Sequence, residues 1–541
     1  MHKLAISWIV GAAALLLTPL AARCDTGVSS AERILDRIVQ SERTFLDQIR
    51  SRTPLLETYI QEDGSAERTS RDHYFLGRLS FKQTLEYLPI VTSSAPPKGS
   101  KRWGLKNPRL QFLPSGFAQM LFPDMNEFDR DHYGFEYVRR EFLGEIRSLV
   151  FDVIPLAKNG NGQFIGRIWV EDNDFHIVRF NGTFTRSKSS HMYFHFDSWR
   201  TSISPGRWVP AAIYVEEAGE KRKGAVEIGF KAQTRIWGYN SGKAASLEEL
   251  TSIAIEMEQP AKDMASGTDV SPLESQRSWE RQAERNIIER LEKSGLIAPT
   301  GGVDKILNTV VNNLAVTNNL TVETQCRVLL TTPLETFSVG RTIFISRGLL
   351  DVLPDEASLA IVLSEELAHV ALGHRTRTQF AFQDQTMFSD IDLLERFRFS
   401  RSPEEIKAAG QRAVELLRQS PYKDKMSNAG LFLKALASRA PLFPNLIRPN
   451  LGNQLAEADS SVRMEALASQ APLLEEGKLD QIAALPLGSR ISLEPWTNMI
   501  KMLKAKPISL LSAREKLIFE ITPVMPYLTR AVEPAISGGG Q

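Results

Sequence analysis

Apolar positions first recur at helical spacing over Ser29 to Arg50, where Ile34, Leu35, Ile38, Phe45, Leu46 and Ile49 share one face between charged residues. That pattern predicts an amphipathic helix. Beyond it the chain becomes rich in aromatic and β-branched residues, in stretches around 136–155, 162–170, 175–184, 191–199 and 207–217. Turn signals at Asn159-Gly160-Asn161-Gly162, Asn181-Gly182 and Pro205-Gly206 separate them, so a meander of antiparallel strands is expected. From Asn240 to about Ser275 the pattern weakens into Gly, Ser, Ala, Glu and Pro, which reads as a linker. A charged helix over Arg277–Lys293 follows, with Gly295 as its C-terminal cap. Leu359, Val362, Leu363, Leu367, Val370 and Ala371 then mark an apolar stripe on another helix. Two more helices are expected over 402–420 and 426–440.

The first residues alter this picture. Lys3, the apolar run Leu4–Leu17, Pro19 and the small residues Ala21 and Ala22 have the layout of a secretory signal. An uncleaved N-terminal membrane anchor is the other reading of the same run. Cys24 follows, but Arg23 stands where a lipid-attachment signal needs a small residue. With Cys24 removed only Cys326 remains, which excludes an intramolecular disulfide and any cysteine-based zinc site. The 541 residues are 42% hydrophobic and 24% charged, enough for two or three buried cores. Sixty-five Lys and Arg balance 64 Asp and Glu, so no bulk field draws the chain to nucleic acid or an anionic membrane.

The chemistry-bearing residues are sparse. Only two of the eight histidines, His369 and His374, lie in the second half, both at the end of the apolar-striped helix. The five residues Glu365, Glu366, Leu367, Ala368 and His369 read E-E-x-x-H. In H-E-x-x-H zinc sites, ligands at i and i+4 share a helix face and the glutamate at i+1 projects beside them. Here the second ligand and the base position are kept, and Glu365 stands at the first ligand. Adjacent glutamates near a histidine are also the ordinary content of a solvated helix face. His374 lies too far round the helix to share the ligand set and reads as structural. His191 and His195 share one face of a predicted strand, without partner acids or cysteines for a metal.

Over about fifty residues, Cys326 to His374, the sequence resembles metallopeptidase family M-forty-eight, the HtpX, BepA and CaaX-endoprotease type. Ile343–Leu350, Glu366, His369, Gly373 and His374 match its pattern, and NQLAEADSSVRMEAL carries an E-A-D motif with Glu457 and Asp459. The resemblance implies that His369, Glu457 and Glu365 hold one zinc ion, that Glu366 is the catalytic base, and that Asp459 orients the zinc helix. Glu335-Thr336-Phe337 replaces the family's Asn-Ala-Phe on the strand bordering the cleft. Two ionised glutamates would cancel the charge of the metal, weakening it as a Lewis acid, and an oxygen-rich site also suits Mn²⁺. The helix-plus-meander order of residues 30–235 is similar to periplasmic lipoprotein-carrier half-barrels, which implies a concave face for acyl chains or an extended polypeptide. A sheet packed on its own helix, with no ligand, is the other reading.

The expected fold class is therefore α+β. A signal (1–24) precedes an antiparallel half-barrel-like domain (25–240). A linker (241–275), a mainly helical metallopeptidase-like domain (276–470) and a C-terminal extension (471–541) complete the chain. The expected activity is metal-dependent endopeptidase action on proteins of the bacterial periplasm or envelope, with a lipid or lipoprotein as a further partner of the N-terminal domain and no nucleic acid. The alternative is a non-catalytic pseudopeptidase that binds unfolded or lipidated envelope proteins.

Overall fold

The computed structural model describes residues 30–62, 71–81, 84–92, 112–157, 162–185, 194–217, 221–222, 225–226, 229–240, 272–378, 381–382, 397–456, 463–475, 477–478, 481, 485–488, 490–503, 519–523 and 525–531. The signal, residues 241–271 of the expected linker, Glu457 and Asp459 lie outside them. The first helix runs Ser30–Ile49 (α1), within the span its apolar stripe predicts.

Ten strands then form one open antiparallel sheet: β1 (Leu55–Glu62), β2 (Arg71–Ser80), β3 (Glu86–Thr92), β4 (Tyr133–Leu143), β5 (Ile146–Pro155), β6 (Phe164–Glu171), β7 (Ile177–Phe184), β8 (Phe196–Ser204), β9 (Arg207–Glu217) and β12 (Phe230–Trp237). A small ribbon of β10 (Lys221–Arg222) and β11 (Ala225–Val226) interrupts the run. The order is β3-β2-β1-β12-β9-β8-β7-β6-β5-β4, so the meander folds back to set β12 beside β1, and the sheet does not close. Pro205-Gly206 makes its expected turn, with Gly206 at φ +66°.

Asn181-Gly182 does not make the turn its sequence suggests. Both residues lie inside β7, where Gly182 faces Gly166 of β6. A Cβ on Gly166 would come within 2.6 Å of the Gly182 Cα, so both positions need glycine for the close approach of two backbones. The strand expected from His191 starts only at Phe196. His195 is exposed ahead of it, its amide donating to Glu217, and His191 lies outside the described residues.

The inner face of the sheet is occupied by the chain itself. α1 and a short helix α2 (Pro114–Gln119) pack there on Phe164, Phe180, Phe184 and Phe196, whose rings contact one another at 5.3–6.3 Å between centroids. Within this core Arg200 grips Glu42 of α1 through two bonds of 2.6 and 2.7 Å, with its cation also over the Phe45 ring. The outer face of β4–β9 carries Trp169, Trp199 and Trp208, and Leu528 lies on them.

The second half begins with helix α3 (Pro272–Lys293), which starts five residues earlier than its sequence pattern suggests, and continues with α4 (Gly302–Thr317). A four-stranded sheet follows in the order β13 (Gln325–Leu329), β15 (Thr342–Ser346), β14 (Glu335–Val339), β16 (Asn453–Gln454). From β15 the chain enters α5 (Arg347–Val352) and then α6 (Glu356–Ala371), whose N-terminus is capped by Asp355 accepting from the Ser358 amide. Gly348 at the start of α5 lies so close to the Thr332 backbone that any side chain would collide with it. Helices α7 (Pro403–Arg418) and α8 (Met426–Arg439) both pack on α6. They belong to its core.

The two halves share one core. Leu55, Tyr59, Tyr74, Leu76 and Trp237 point from the outer face of β1, β2 and β12 into the apolar cluster of the second half, while Leu56, Ile60, Phe75 and Leu79 point inward. β1 is therefore buried on both faces. The polar groups trapped in this seam are paired: Glu57 accepts from the Thr332 amide (2.6 Å) and hydroxyl (2.7 Å), from Tyr74 (2.9 Å) and from the Arg347 guanidinium (2.7 Å). Arg347 also reaches the Leu330 carbonyl and Asp351, which accepts three further amides from Gly488, Arg490 and Ile491. Asp72 similarly receives the amides of Asn445 and Leu446 at 2.8–3.0 Å.

Breaking this seam is expected to loosen both halves together. Glu57→Ala takes the nearer of two carboxylates from the buried Arg347 and the acceptor from the Thr332 amide, and should cost about 3–5 kcal/mol of stability. Arg412→Ala, which removes an exposed pair with Glu415, should cost under about 1 kcal/mol. Urea denaturation of the two variants against the parent checks the contrast.

Candidate active site

Helix α6 is built differently from the stripe its sequence suggests: every residue from Ala357 to His369 is buried. Hydrophobic residues surround it from α4, α7, α8 and the small sheet. Glu365, Glu366 and His369 thus leave water completely, at 1%, 0% and 0% exposure. Burying two adjacent carboxylates this deeply requires a counter-charge.

The counter-charge is Arg463, which the sequence reading did not single out. Its Nε donates to Glu365 Oε1 at 2.7 Å, and one terminal nitrogen donates to Glu366 Oε1 at 3.1 Å. The other lies 3.3 Å from the hydroxyl of Thr336, which in turn donates to Glu366 Oε1 at 3.0 Å. Thr336 is in the middle of the Glu335-Thr336-Phe337 strand that was expected to border the cleft. Burial pushes the Glu365 carboxyl up against the opposing pull of Arg463. Burial acts on Glu366 in the same sense, but Arg463, His369 and Thr336 together outweigh it and hold that carboxyl below the usual range.

His374 is not an isolated structural residue. Its Nδ1 lies 2.8 Å from the Nδ1 of His369, so one ring donates its proton to the other. When His369 is the donor, its Nε2 is left as a bare lone pair. Burial first, with Arg463, Arg401 and His374 assisting, pushes the His369 pKa down to about 4 against the pull of Glu366, so the imidazole is neutral at pH 7.

Three atoms of this cluster are buried without a partner among the described residues: His369 Nε2, Glu365 Oε2 and Glu366 Oε2. A neutral imidazole nitrogen and a carboxylate oxygen are donors that suit a divalent cation, and these two fit half of a tetrahedral zinc set. Among the described residues no three His, Cys, Asp or Glu side chains converge on one point, and the third expected ligand, Glu457, lies outside them. Arg463 changes the charge arithmetic of such a site. Zn²⁺ with Glu365 and Glu457 sums to zero, and the adjoining guanidinium restores one positive charge, the value of a site with two histidines and one glutamate.

At the edge of the cleft, Glu335 opens β14 with no exposure, and its Oε2 accepts from the amides of Leu451 (2.9 Å) and Gly452 (2.8 Å). It pins the loop that leads into β16, which pairs with Glu335 and Thr336. Burial pushes the Glu335 carboxyl up to about 7, against those amides.

Comparison with known proteins agrees with this construction. Residues 304–417 match the model for Peptidase family M48, a segment that contains Glu365, Glu366 and His369 and ends before Glu457. The match supports a metallopeptidase, a hydrolase whose substrates are polypeptides. No curated protein matches the chain. Among solved structures, a LolA superfamily protein from Nitrosomonas europaea is 13% identical, covering 37% of this chain and 90% of its own, with a TM-score of 0.21. An outer membrane lipoprotein-sorting protein domain from Vibrio parahaemolyticus is 12% identical over 37% and 91%, with a TM-score of 0.20. The MucA/MucB complex of Pseudomonas aeruginosa gives 8% identity over 38% and 94%, with a TM-score of 0.12.

Two outcomes are expected from these contacts. Arg463→Met leaves two buried carboxylates without their cation and should cost about 3–5 kcal/mol in chelator-treated protein, whereas Glu365→Gln/Arg463→Met should regain at least half of the loss, both read from urea midpoints. Glu335 gives a pH dependence. Its folded pKa lies above the unfolded value, so the stability it contributes is complete below about pH 4.5 and lost as pH rises through about 7. Glu335→Gln should flatten the fall in urea midpoint between those limits.

Proposed function

We propose that the chain is an exported metal-dependent endopeptidase of the bacterial periplasm or envelope, acting on envelope polypeptides with modest hydrolytic power. The observation that supports it most directly is the buried trio of unpartnered atoms on one turn of α6, His369 Nε2, Glu365 Oε2 and Glu366 Oε2. His369, Glu365 and Glu457 would hold zinc, or manganese in this oxygen-rich set, and the ion would supply a Lewis acid for the attacking water and the scissile carbonyl. Asp459, two residues from Glu457, would orient α6 by hydrogen bonding. Glu366 takes the proton from the attacking water and returns it to the leaving amine. Arg463 and Thr336 fix its Oε1 and leave Oε2 free for that transfer. The same contacts lower its proton affinity, which makes it a weaker base than one poised near neutrality and supports a low turnover. His374 fixes the His369 ring through the 2.8 Å contact. Export rests on the signal-like pattern of residues 3–22.

One observation favours the second reading, a pseudopeptidase that binds its clients without cleaving them. Arg463 already supplies a cation to Glu365 and Glu366. Elemental mass spectrometry of the mature protein separates the two readings. The endopeptidase reading expects about one zinc or manganese per chain, lost in Glu457→Ala, and at least a ~100-fold loss of hydrolysis of an unfolded polypeptide in Glu366→Gln with the metal retained. A metal-free parent that still binds the unfolded polypeptide establishes the second reading.

A further inference from the structure

A cavity of about 370 Å³ opens beside the candidate active site. Among the described residues its lining includes Arg398, Arg401, Arg448 and Arg463 and no aspartate or glutamate. Arg463 is neutralised by Glu365 and Glu366 on its far side. The other three form no ion pair among the described residues, although Glu366 and Glu405 lie close enough to Arg401 to favour its charged form. Arg401 gives its terminal nitrogens to the carbonyls of Arg375 and Ser338 and to the Ser338 hydroxyl, all uncharged acceptors. Arg398 and Arg448 are exposed and enter no ion pair.

Two donors in the same lining are also unused. Asn453 is 2% exposed; its Oδ1 accepts from the Arg401 amide, while among the described residues its Nδ2 and the Nδ2 of Asn450 have no partner. Two exposed guanidinium groups without an ion pair, a third bonded only to uncharged acceptors and two spare amide donors, with no acid among the described lining residues, create a positive, donor-rich concavity that selects an acceptor-only anion. The arginine fork matches a planar carboxylate in particular.

Position identifies the source of that anion. One wall is Arg463, which touches Glu366, and another is β16, paired to the strand that carries Thr336. Whatever fills the cavity lies next to the carboxylate assigned to proton transfer. We propose that the cavity binds a carboxylate of the polypeptide held in the cleft, either its C-terminal α-carboxylate or an acidic side chain. This rests on the reading of the cleft as a polypeptide site and adds to it a preference for negative charge close to the reacting bond.

Fluorescence anisotropy with the full mature chain tests the assignment. The probes are one fluorescein-labelled neutral octapeptide with a free C-terminus, its C-terminal amide, and the amide with a glutamate next to the last residue. Tighter binding of the free acid, of the glutamate peptide or of both, by at least 10-fold over the neutral amide, is expected. That advantage should vanish in Arg398→Ser/Arg448→Ser, whose exposed positions leave the melting temperature unchanged. The free acid and the glutamate peptide report which carboxylate the cavity takes. Equal binding of all three peptides overturns the proposal and leaves the polypeptide reading standing. A rise in melting temperature with inorganic phosphate, without binding of any peptide, overturns it in favour of a phosphate site, and no response to any probe sinks both readings. Absence of metal and of hydrolysis, with the carboxylate preference intact, removes only the peptidase reading.

Discussion

The structure turns on the burial of α6. A helix enclosed from Ala357 to His369 cannot carry two adjacent glutamates unless a cation stands beside them, since an unpaired buried carboxylate costs several kcal/mol. Arg463 meets that requirement, and doing so fixes where the chain at residue 463 must run. Thr336 must also lie in β14 at the level of Glu366 to share the same oxygen. The small sheet, α6 and the chain around residue 463 are therefore held in one arrangement by a single buried ionic cluster.

The same physics operates in the seam between the halves, with a different result. Each oxygen of Glu57 accepts two bonds, from Thr332 and Tyr74 on one side and from Thr332 and Arg347 on the other. Asp351 and Asp72 are similarly surrounded by donors. Saturation of this kind is what a structural charge needs. The α6 cluster stops short of it: each of its carboxylates uses one oxygen and leaves the other bare, and His369 keeps an unpartnered nitrogen. Glu335 and Asp304 each leave one buried oxygen bare as well, but in the α6 cluster three such atoms fall together on one turn of helix, the arrangement expected of a site for a ligand or a proton.

Local periodicity carried most of the fold. The stripe of α1, the capped helix α7 behind Ser402 and the Pro205-Gly206 turn were all readable, because each follows from residues within one or two turns of chain. Asn181-Gly182 misled because an Asn-Gly pair has the same local chemistry in a turn as in a strand; only the cross-strand partner Gly166 distinguishes them. The all-round burial of α6 was invisible for a similar reason, since Glu365 and Glu366 look like a solvated face until Arg463 arrives from 98 residues downstream. His374 was set aside on helical geometry, which fails at that point because α6 ends at Ala371 and Gly373 turns left-handed at φ +70°, swinging His374 back onto His369.

The replacement of a histidine by Glu365 takes on a different meaning once Arg463 is beside it. Viewed alone, a carboxylate in place of a neutral imidazole adds a negative charge that dulls any metal held there. The pair Glu365–Arg463 adds no net charge, so electrostatically it resembles the neutral ring it replaces, while one carboxylate oxygen remains available as a donor. Geometry does not follow the charge so easily. A carboxylate tethered through Oε1 to a guanidinium offers only one oxygen in a fixed direction, and its neighbour Glu366 shares that tether. The two glutamates are therefore coupled through Arg463, and a change at Glu365 is transmitted to the base assigned to proton transfer even where no metal is involved.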